Sequence, residues 1–415
     1  MSCQSHVLFS ILDVMAFLQV LKIKDFRNLW LSQLLSQVFL NLLFFSVMLR
    51  IYELTRSNSA VAIVVFLTTI PNIFLGAIAG VLVDRWGRKP VMFFSHFLRA
   101  FAVLAVLLSA ETIGWLYTLI FLISIITQFF FPAEAGMIYK VVKDDKLLLT
   151  ANSLFSVTFF ASVILGNVLA GPFLMLFGPH WTFLIVAAAF LLASFFTSQL
   201  PGNGHLGLSP TNIFSDFMVG LDYLYHTPVV RRGIMLLGSS QITIGILGVI
   251  APGFADKVLH LPVTSVSLLV MAPAASGMAV GALILGQFLR RAPREHLIRI
   301  GFVCAAVFLI IFALVDKLGL IFVAPILLVL GASNAFLDIP VNTMIQENTP
   351  EPVRSRVYGV ISSVIGLAGV VPIIMSGALA DVIGVRYVML GTGIILLLCF
   401  RFLSGSGRSP STLSA

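Results

Sequence analysis

The sequence predicts an all-α membrane protein with twelve transmembrane helices in two pseudo-symmetric six-helix bundles. Three observations predict it. First, 59% of the 415 residues are hydrophobic and only 10% are charged, against the roughly 25% charged that wets a soluble domain. Second, the apolar residues fall into twelve runs, each near the ~20 residues that span a bilayer as a helix. Third, the basic residues crowd into alternate loops between those runs.

Composition excludes several classes. A mean hydropathy of +1.07 leaves more apolar surface than a water-soluble fold can hide, so lipid must cover much of it. The net charge of +8 lies in short loops and reads as a topology signal; no nucleic-acid-binding module is present. The three cysteines, Cys3, Cys304 and Cys399, form no CxxC or Cys/His cluster, so neither a metal nor a disulfide framework is expected. HExxH, GxSxG and the phosphate-binding GxxxxGK[ST] pattern are also absent, which argues against an enzyme and against a nucleotide-driven machine. No cofactor is expected.

The runs lie at about 29–51, 58–83, 91–109, 114–138, 149–177, 181–199, 230–254, 264–289, 297–315, 318–345, 356–381 and 385–403. Charges, Gly and Pro separate them. The longest polar gap, 200–229, parts six runs from six, and its stretch 211–227 reads as a short surface helix. The expected organisation is an N-terminal cytoplasmic or interfacial segment 1–28, a bundle 29–199, a central cytoplasmic loop 200–229, a bundle 230–403 and a cytoplasmic tail 404–415. Residues 7–21 are apolar but interrupted by Asp13, with no basic flank or cleavage site. They read either as an interfacial helix or as residues upstream of a true start at Met15.

Orientation follows from Lys and Arg. With a cytoplasmic N-terminus, only Arg50, Arg56, Lys257, Lys317 and Arg386 of the 25 basic residues fall outside. Both termini are therefore expected in the cytoplasm of a cell (inner or plasma) membrane. The halves repeat weakly. Gly76-x-x-x-Gly80 matches Gly277-x-x-x-Gly281, and Pro132 matches Pro340. Repeated halves bind a solute between them, near the midplane.

After the second run comes Gly80-Val-Leu-Val-Asp84-Arg85-Trp86-Gly87-Arg88-Lys89. An acid closing a helix beside a glycine turn and three cations can pair with Arg88 and face the positive N-terminus of a neighbouring helix. The alternative is that these cations only anchor the loop inside. This motif resembles the G-x-L-a-D-r-x-G-r-k signature of the major facilitator superfamily, at the place that family carries it, and the resemblance covers about 22–404. "FRNLWLSQLLS", "FFFPAEAGMIYKVV" and "IPVNTMIQENTPEPVRSRVYGV" look like the branch of the enterobactin exporter and related effluxers. The resemblance implies a secondary transporter without a nucleotide, working as a monomer by alternating access in the lipid bilayer. It implies a cytoplasmic gate of Gly80, Asp84, Arg85, Gly87, Arg88 and Lys89. The expected cargo is a hydrophobic small molecule, drug or siderophore-like metabolite, exported with protons as a candidate coupling ion. An importer or lipid flippase on the same fold is the alternative, and a non-transporting receptor a more distant one.

Some departures matter. The loop after the eighth run, "GQFLRRAPRE", lacks an acid at the matching place, whereas Gly377-Ala-Leu-Ala-Asp381 near the outer end of the eleventh reads as a degenerate copy. Gly166 and Gly171-Pro172 resemble an antiporter motif without its trailing glycine pair; close helix packing explains them equally well. The fourth run lacks the arginine that many proton-coupled members carry.

Polar groups inside spans are costly and mark function by default. Arg99, Glu134 and Asp338 are the ionisable ones, and all three are candidates for coupling. Arg99 could bridge towards Glu134 or snorkel to headgroups. Asn334, Asp338 and Asn342 recur every four residues, as do Gln33, Gln37 and Asn41, which places each set on one helix face. In the resembling family the first, fourth, seventh and tenth helices surround the cavity, so both stripes are expected to line it. Interhelical hydrogen bonding is the competing role. The 36 Phe residues would suit either an aromatic cavity wall or a lipid-facing surface.

Overall fold

The computed structural model describes residues 17–107, 112–202, 213–287, 289, 292–315 and 319–405. The helices are α1 Lys24–Thr55, α2 Asn58–Trp86, α3 Arg88–Leu107, α4 Ile113–Val141, α5 Asp145–Ser198, α6 Ile213–His226, α7 Pro228–Lys257, α8 Ala272–Gln287, α9 Arg294–Ala313, α10 Val323–Glu347, α11 Glu351–Val382 and α12 Val385–Gly405. A π-helical turn, Ser267–Met271, leads into α8. Residues 1–16 and 406–415 lie outside the described residues, and with them residues 7–16 of the apolar stretch 7–21 and most of the expected tail; residues 17–21 of that stretch are helical.

Among the described residues, ten helical segments are long and apolar enough to cross a membrane. One of them, Leu147–Ser198, has 52 residues. At 1.5 Å per residue it would be about 78 Å long, more than twice a ~30 Å hydrocarbon core. It is two spans. The backbone leaves the helical region at Gly178 (φ 72°, ψ 172°), and Pro179 follows. A glycine tolerates the left-handed φ, and the proline suits the first turn of the second limb. The sequence predicts two helices here, 149–177 and 181–199; they are joined by this pivot without a loop. With α5 counted as two spans, and with the shorter apolar helix Val385–Cys399 in α12, the spans number the twelve expected.

Two compact units emerge. Unit 1 holds Met1–Leu54 and Leu67–Pro210; unit 2 holds Thr55–Phe66 and Thr211–Ala415. In unit 1, α3 packs between α4 and α5. Its core gathers Phe26, Leu29, Met92, Phe130, Met137 and Phe155. In unit 2, α10 is central and packs on α7, α8 and α9, while α11 packs on α6 and α7. Large apolar side chains point outward as well: Leu176 and Ile321 are 77% and 81% exposed, as suits a lipid-facing surface and not a wetted one.

Polar side chains within the helices turn back on their own backbone. Thr127, Ser124, Thr197, Ser333 and Thr392 each donate to the carbonyl four residues earlier. Hydrocarbon offers no water, so the hydroxyl takes the nearest spare acceptor. The α8–α10 crossing is tight because small residues meet. A Cβ on Gly331 would lie 2.8 Å from the Ala274 carbonyl carbon, and one on Gly281 would lie 2.8 Å from Ala332 Cα, the close approach expected of membrane helix pairs.

Gly331→Val should therefore force α8 and α10 apart and cost about 2 kcal/mol or more, seen as a clear drop in thermal stability in detergent. Gly286→Ala, where a Cβ meets nothing within 4 Å, should stabilise by about 0.5–1 kcal/mol. Equal effects at the two positions would contradict the packing described.

Candidate functional site

The signature loop lies between α2 and α3. Only Gly87 separates the two helices, and its φ is 90°. A reversal through one residue needs a left-handed conformation, which explains the glycine. Arg85 is exposed at the end of α2. Arg88 reaches α4: its Nη1 donates to the Gly136 carbonyl at 2.7 Å, and no Cβ would fit at Gly136 beside the guanidinium. Lys89 Nζ donates to the Leu200 carbonyl at 2.6 Å, and Lys140 donates to that of Gly202. Both carbonyls follow the end of α5, where a helix presents spare acceptors and partial negative charge. Arg88 thus ties α3 to α4, and Lys89 and Lys140 tie α3 and α4 to the segment after α5. Gly80 has open space around it. The Asp84 side chain, and with it the expected pairing to Arg88, lies outside the described residues.

Above this loop, unit 1 encloses a charged cluster. Arg99 is fully buried by protein and does not snorkel. Its guanidinium lies 4.9 Å from the Phe130 ring centre and 5.9 Å from that of Phe190. Its Nη2 donates to Thr127 Oγ1 at 3.0 Å, while Nε and Nη1 have no hydrogen-bond partner among the described residues. Glu134 on α4 is its acidic neighbour, also buried, with Oε1 unpartnered. A buried cation needs a counter-charge, and desolvated aromatic faces add roughly 2 kcal/mol. His96, one turn before Arg99, is buried too. Its Nε2 lies 3.0 Å from Ser32 Oγ, which also contacts Thr197 Oγ1 at 2.8 Å. Sequence reasoning missed His96. Its spacing of three from Arg99 put it on the same face, and that was the available signal.

The polar stripe of α1 is packed within unit 1. Gln33 is buried and donates to the Phe155 carbonyl of α5 at 3.3 Å. Gln37 is buried, and Asn41 Nδ2 donates back to its carbonyl at 2.8 Å. A Cβ on Gly166 would lie 2.6 Å from Asn41 Cβ and 2.6 Å from the Val38 carbonyl, so this glycine of the antiporter-like motif seats α5 on α1.

In unit 2 the stripe of α10 meets α7. Asn334 Nδ2 donates to Ser240 Oγ at 2.9 Å, and Gln241 Nε2 donates to Asp338 Oδ2 at 3.2 Å. Asn342 Nδ2 donates to the Asp338 carbonyl at 3.0 Å. All three α10 residues are half-buried and Gln241 is exposed. Asp338 Oδ1 is buried and has no hydrogen-bond partner among the described residues. A half-buried carboxylate in contact with the Gln241 amide and Ser240, beside an exposed neighbour, can accept a proton. Among the described residues no group of three or more His, Cys, Asp or Glu side chains could hold a metal.

The Major Facilitator Superfamily model matches residues 29–373, with a second match over 235–413. The chain belongs to this superfamily. Its similar proteins include the multidrug efflux pump Tap of Mycolicibacterium fortuitum, 27% identical over 81% of this chain and 84% of that one. Macrolide efflux protein A of Streptococcus pyogenes is 24% identical over 90% and 93% of the two chains. The enterobactin exporter EntS of Citrobacter koseri is 26% identical over 90% and 91%. Among solved structures, nucleoside transporter NupG superposes with a TM-score of 0.72 at 14% identity, covering 93% of this chain and 99% of that one. A bacterial homologue of the human lysosomal transporter Spinster gives 0.68 at 16%, covering 92% and 96%. At those identities the likeness is one of fold. The chain is therefore a multi-pass membrane transporter for a small-molecule substrate, not an enzyme.

The Arg99–Glu134 cluster makes a measurable claim. Arg99→Met alone leaves a buried carboxyl without its counter-charge, and Glu134→Gln alone leaves a buried guanidinium. Each should destabilise the protein, and the double variant should lose less than the two losses together. The coupling energy should be roughly 1–3 kcal/mol from thermal or denaturant unfolding in detergent. Strict additivity would mean that the two charges act independently.

Proposed function

We propose that this transporter is a secondary active exporter of hydrophobic small molecules, of the drug or siderophore-like kind, working by alternating access. The carrying observation is that relatives aligned over more than four-fifths of both chains are efflux pumps and an exporter. The polar face of Ser240, Gln241, Asn334 and Asp338 adds to it. It offers a small set of polar groups on otherwise apolar helices, the pattern of a site for a largely apolar solute. Gln33 and Gln37 are buried, and with Asn41 their hydrogen bonds serve the packing of unit 1. The Asp84–Lys89 loop serves as the cytoplasmic gate, and both termini lie in the cytoplasm.

Direction is the decisive measurement. Inside-out vesicles should accumulate a macrolide, a lipophilic dye or a catecholate siderophore when energised. Uptake only into right-side-out vesicles would make the chain an importer. Asp84→Asn should cut this transport at least several-fold with membrane insertion intact, since it removes the acid of the gate; normal transport would leave the loop a plain anchor.

Protons are the proposed coupling ion, with Asp338 as the carrier. Both acids keep a buried oxygen without a hydrogen-bond partner among the described residues, but Asp338 is half-buried beside the exposed Gln241, whereas Glu134 is enclosed with Arg99. Asp338→Asn should abolish uphill transport driven by a pH gradient while sparing binding, because Asn matches the protonated acid in size and polarity. Glu134→Gln should have that phenotype only if the order is reversed. Wild-type pH-driven rates in both variants would remove protons from the mechanism.

A further inference from the structure

The pattern Gly80-x-Leu-x-Asp84 recurs as Gly377-x-Leu-x-Asp381 in α11, and Asp381 is engaged in a specific way. Its Oδ1 accepts from the Asn58 backbone N–H at 2.8 Å and from Asn58 Nδ2 at 2.9 Å. Its Oδ2 accepts from Ser57 Oγ at 2.6 Å, the Ser59 backbone N–H at 2.9 Å and Ser59 Oγ at 2.7 Å. Five donors converge on one carboxylate at the first turn of α2. A helix start has unused N–H groups and partial positive charge, so an acid there satisfies both.

The surroundings are shaped for this grip. A Cβ on Gly377 would lie 2.7 Å from the Asn58 carbonyl, and one on Gly253 of α7 would lie 2.8 Å from Asn58 Nδ2. Both glycines let α2 seat directly on α11 and α7. Asn58 is fully buried between them. Arg56, the residue with φ 53°, adds an ion pair to Asp256 at 2.7 Å. The start of α2 accordingly groups with unit 2 as Thr55–Phe66, while α2 from Leu67 onward groups with unit 1.

We propose that Asp381 and its cradle form a latch that holds the start of α2 in one state of the transport cycle and releases it in another. This rests on the alternating-access reading. By sequence α2 is a helix of the first half, held here by helices of the second. If the halves part at this end once per cycle, these contacts must break and reform. A carboxylate held by hydroxyls and N–H groups suits that task, because water can replace each donor on opening. Interdigitated apolar side chains would have no such substitute. The latch lies at the end of α2 opposite the Asp84 loop, so the two copies of the pattern serve the two ends.

The test uses the full-length chain in nanodiscs, with Cys3, Cys304 and Cys399 replaced. Val61 is fully buried in the latched state, so Val61→Cys should react slowly with a membrane-impermeant maleimide. Asp381→Asn should raise that rate at least tenfold, because an amide cannot accept all five donors. The double variant Ser57→Ala with Ser59→Ala should raise it less, and stands in should Asp381→Asn fail to insert. The second measurement is a cross-link. The Ser59 and Asp381 side-chain oxygens meet at 2.7 Å, so the pair Ser59→Cys and Asp381→Cys should form a disulfide that stops transport, with transport returning on reduction to the level of the unoxidised pair. Labelling needs no substrate, so it stands apart from the direction and coupling of transport. Unchanged labelling in both latch variants, or full transport by the oxidised cross-linked protein, would overturn the latch and make Asp381 a fixed helix cap.

Discussion

Hydrocarbon satisfies no hydrogen bond and solvates no charge, and that constraint governs this structure. Each polar group in the spans must find its partner inside the protein. The simplest solutions are local, as where Thr127 and Ser333 return their protons to their own helices. The costliest group, Arg99, draws on Thr127, two phenyl faces and Glu134 together. At the rims the same rule gives the loop cations their places. Arg88 ends on the Gly136 carbonyl of α4, and Lys89 and Lys140 end on carbonyls just past the end of α5. The residues that keep an unsatisfied oxygen, such as Asp338, stand out against that background.

The fold was largely legible because the same constraint writes itself into sequence as runs of apolar residues. Eleven breaks between runs could be read from charge, Gly and Pro. At Gly178-Pro179 the break carries no loop, so helical hydrogen bonding continues up to a single left-handed residue. Composition marks the turn there but not its abruptness. Gly87 was readable in both respects, since an acid, a glycine and three cations in ten residues leave few alternatives to a tight reversal.

The site was legible only in halves. Period-four spacing exposed Asn334, Asp338 and Asn342, since one helix carries them all. Their partners Ser240 and Gln241 sit on α7, nearly a hundred residues earlier, and no local pattern links the two. The α1 stripe shows the converse. Its spacing is as regular, yet Gln33 faces the α5 backbone, because a polar face in a membrane helix can be aimed at a solute or at a neighbour with the same periodicity. Spacing reports which residues share a face; only packing reports what the face meets.

Glu134, Asp381 and Asp338 differ in what surrounds them. Glu134 is buried beside Arg99, whose guanidinium faces two aromatic rings, so loss of its charge leaves Arg99 without that counter-charge. Asp381 is held by five neutral donors and no cation, so its hold depends on geometry and yields when the donors move away. Asp338 meets the Gln241 amide and Ser240, with Oδ1 buried and unpartnered among the described residues, so a proton there would satisfy an oxygen that no other described group reaches.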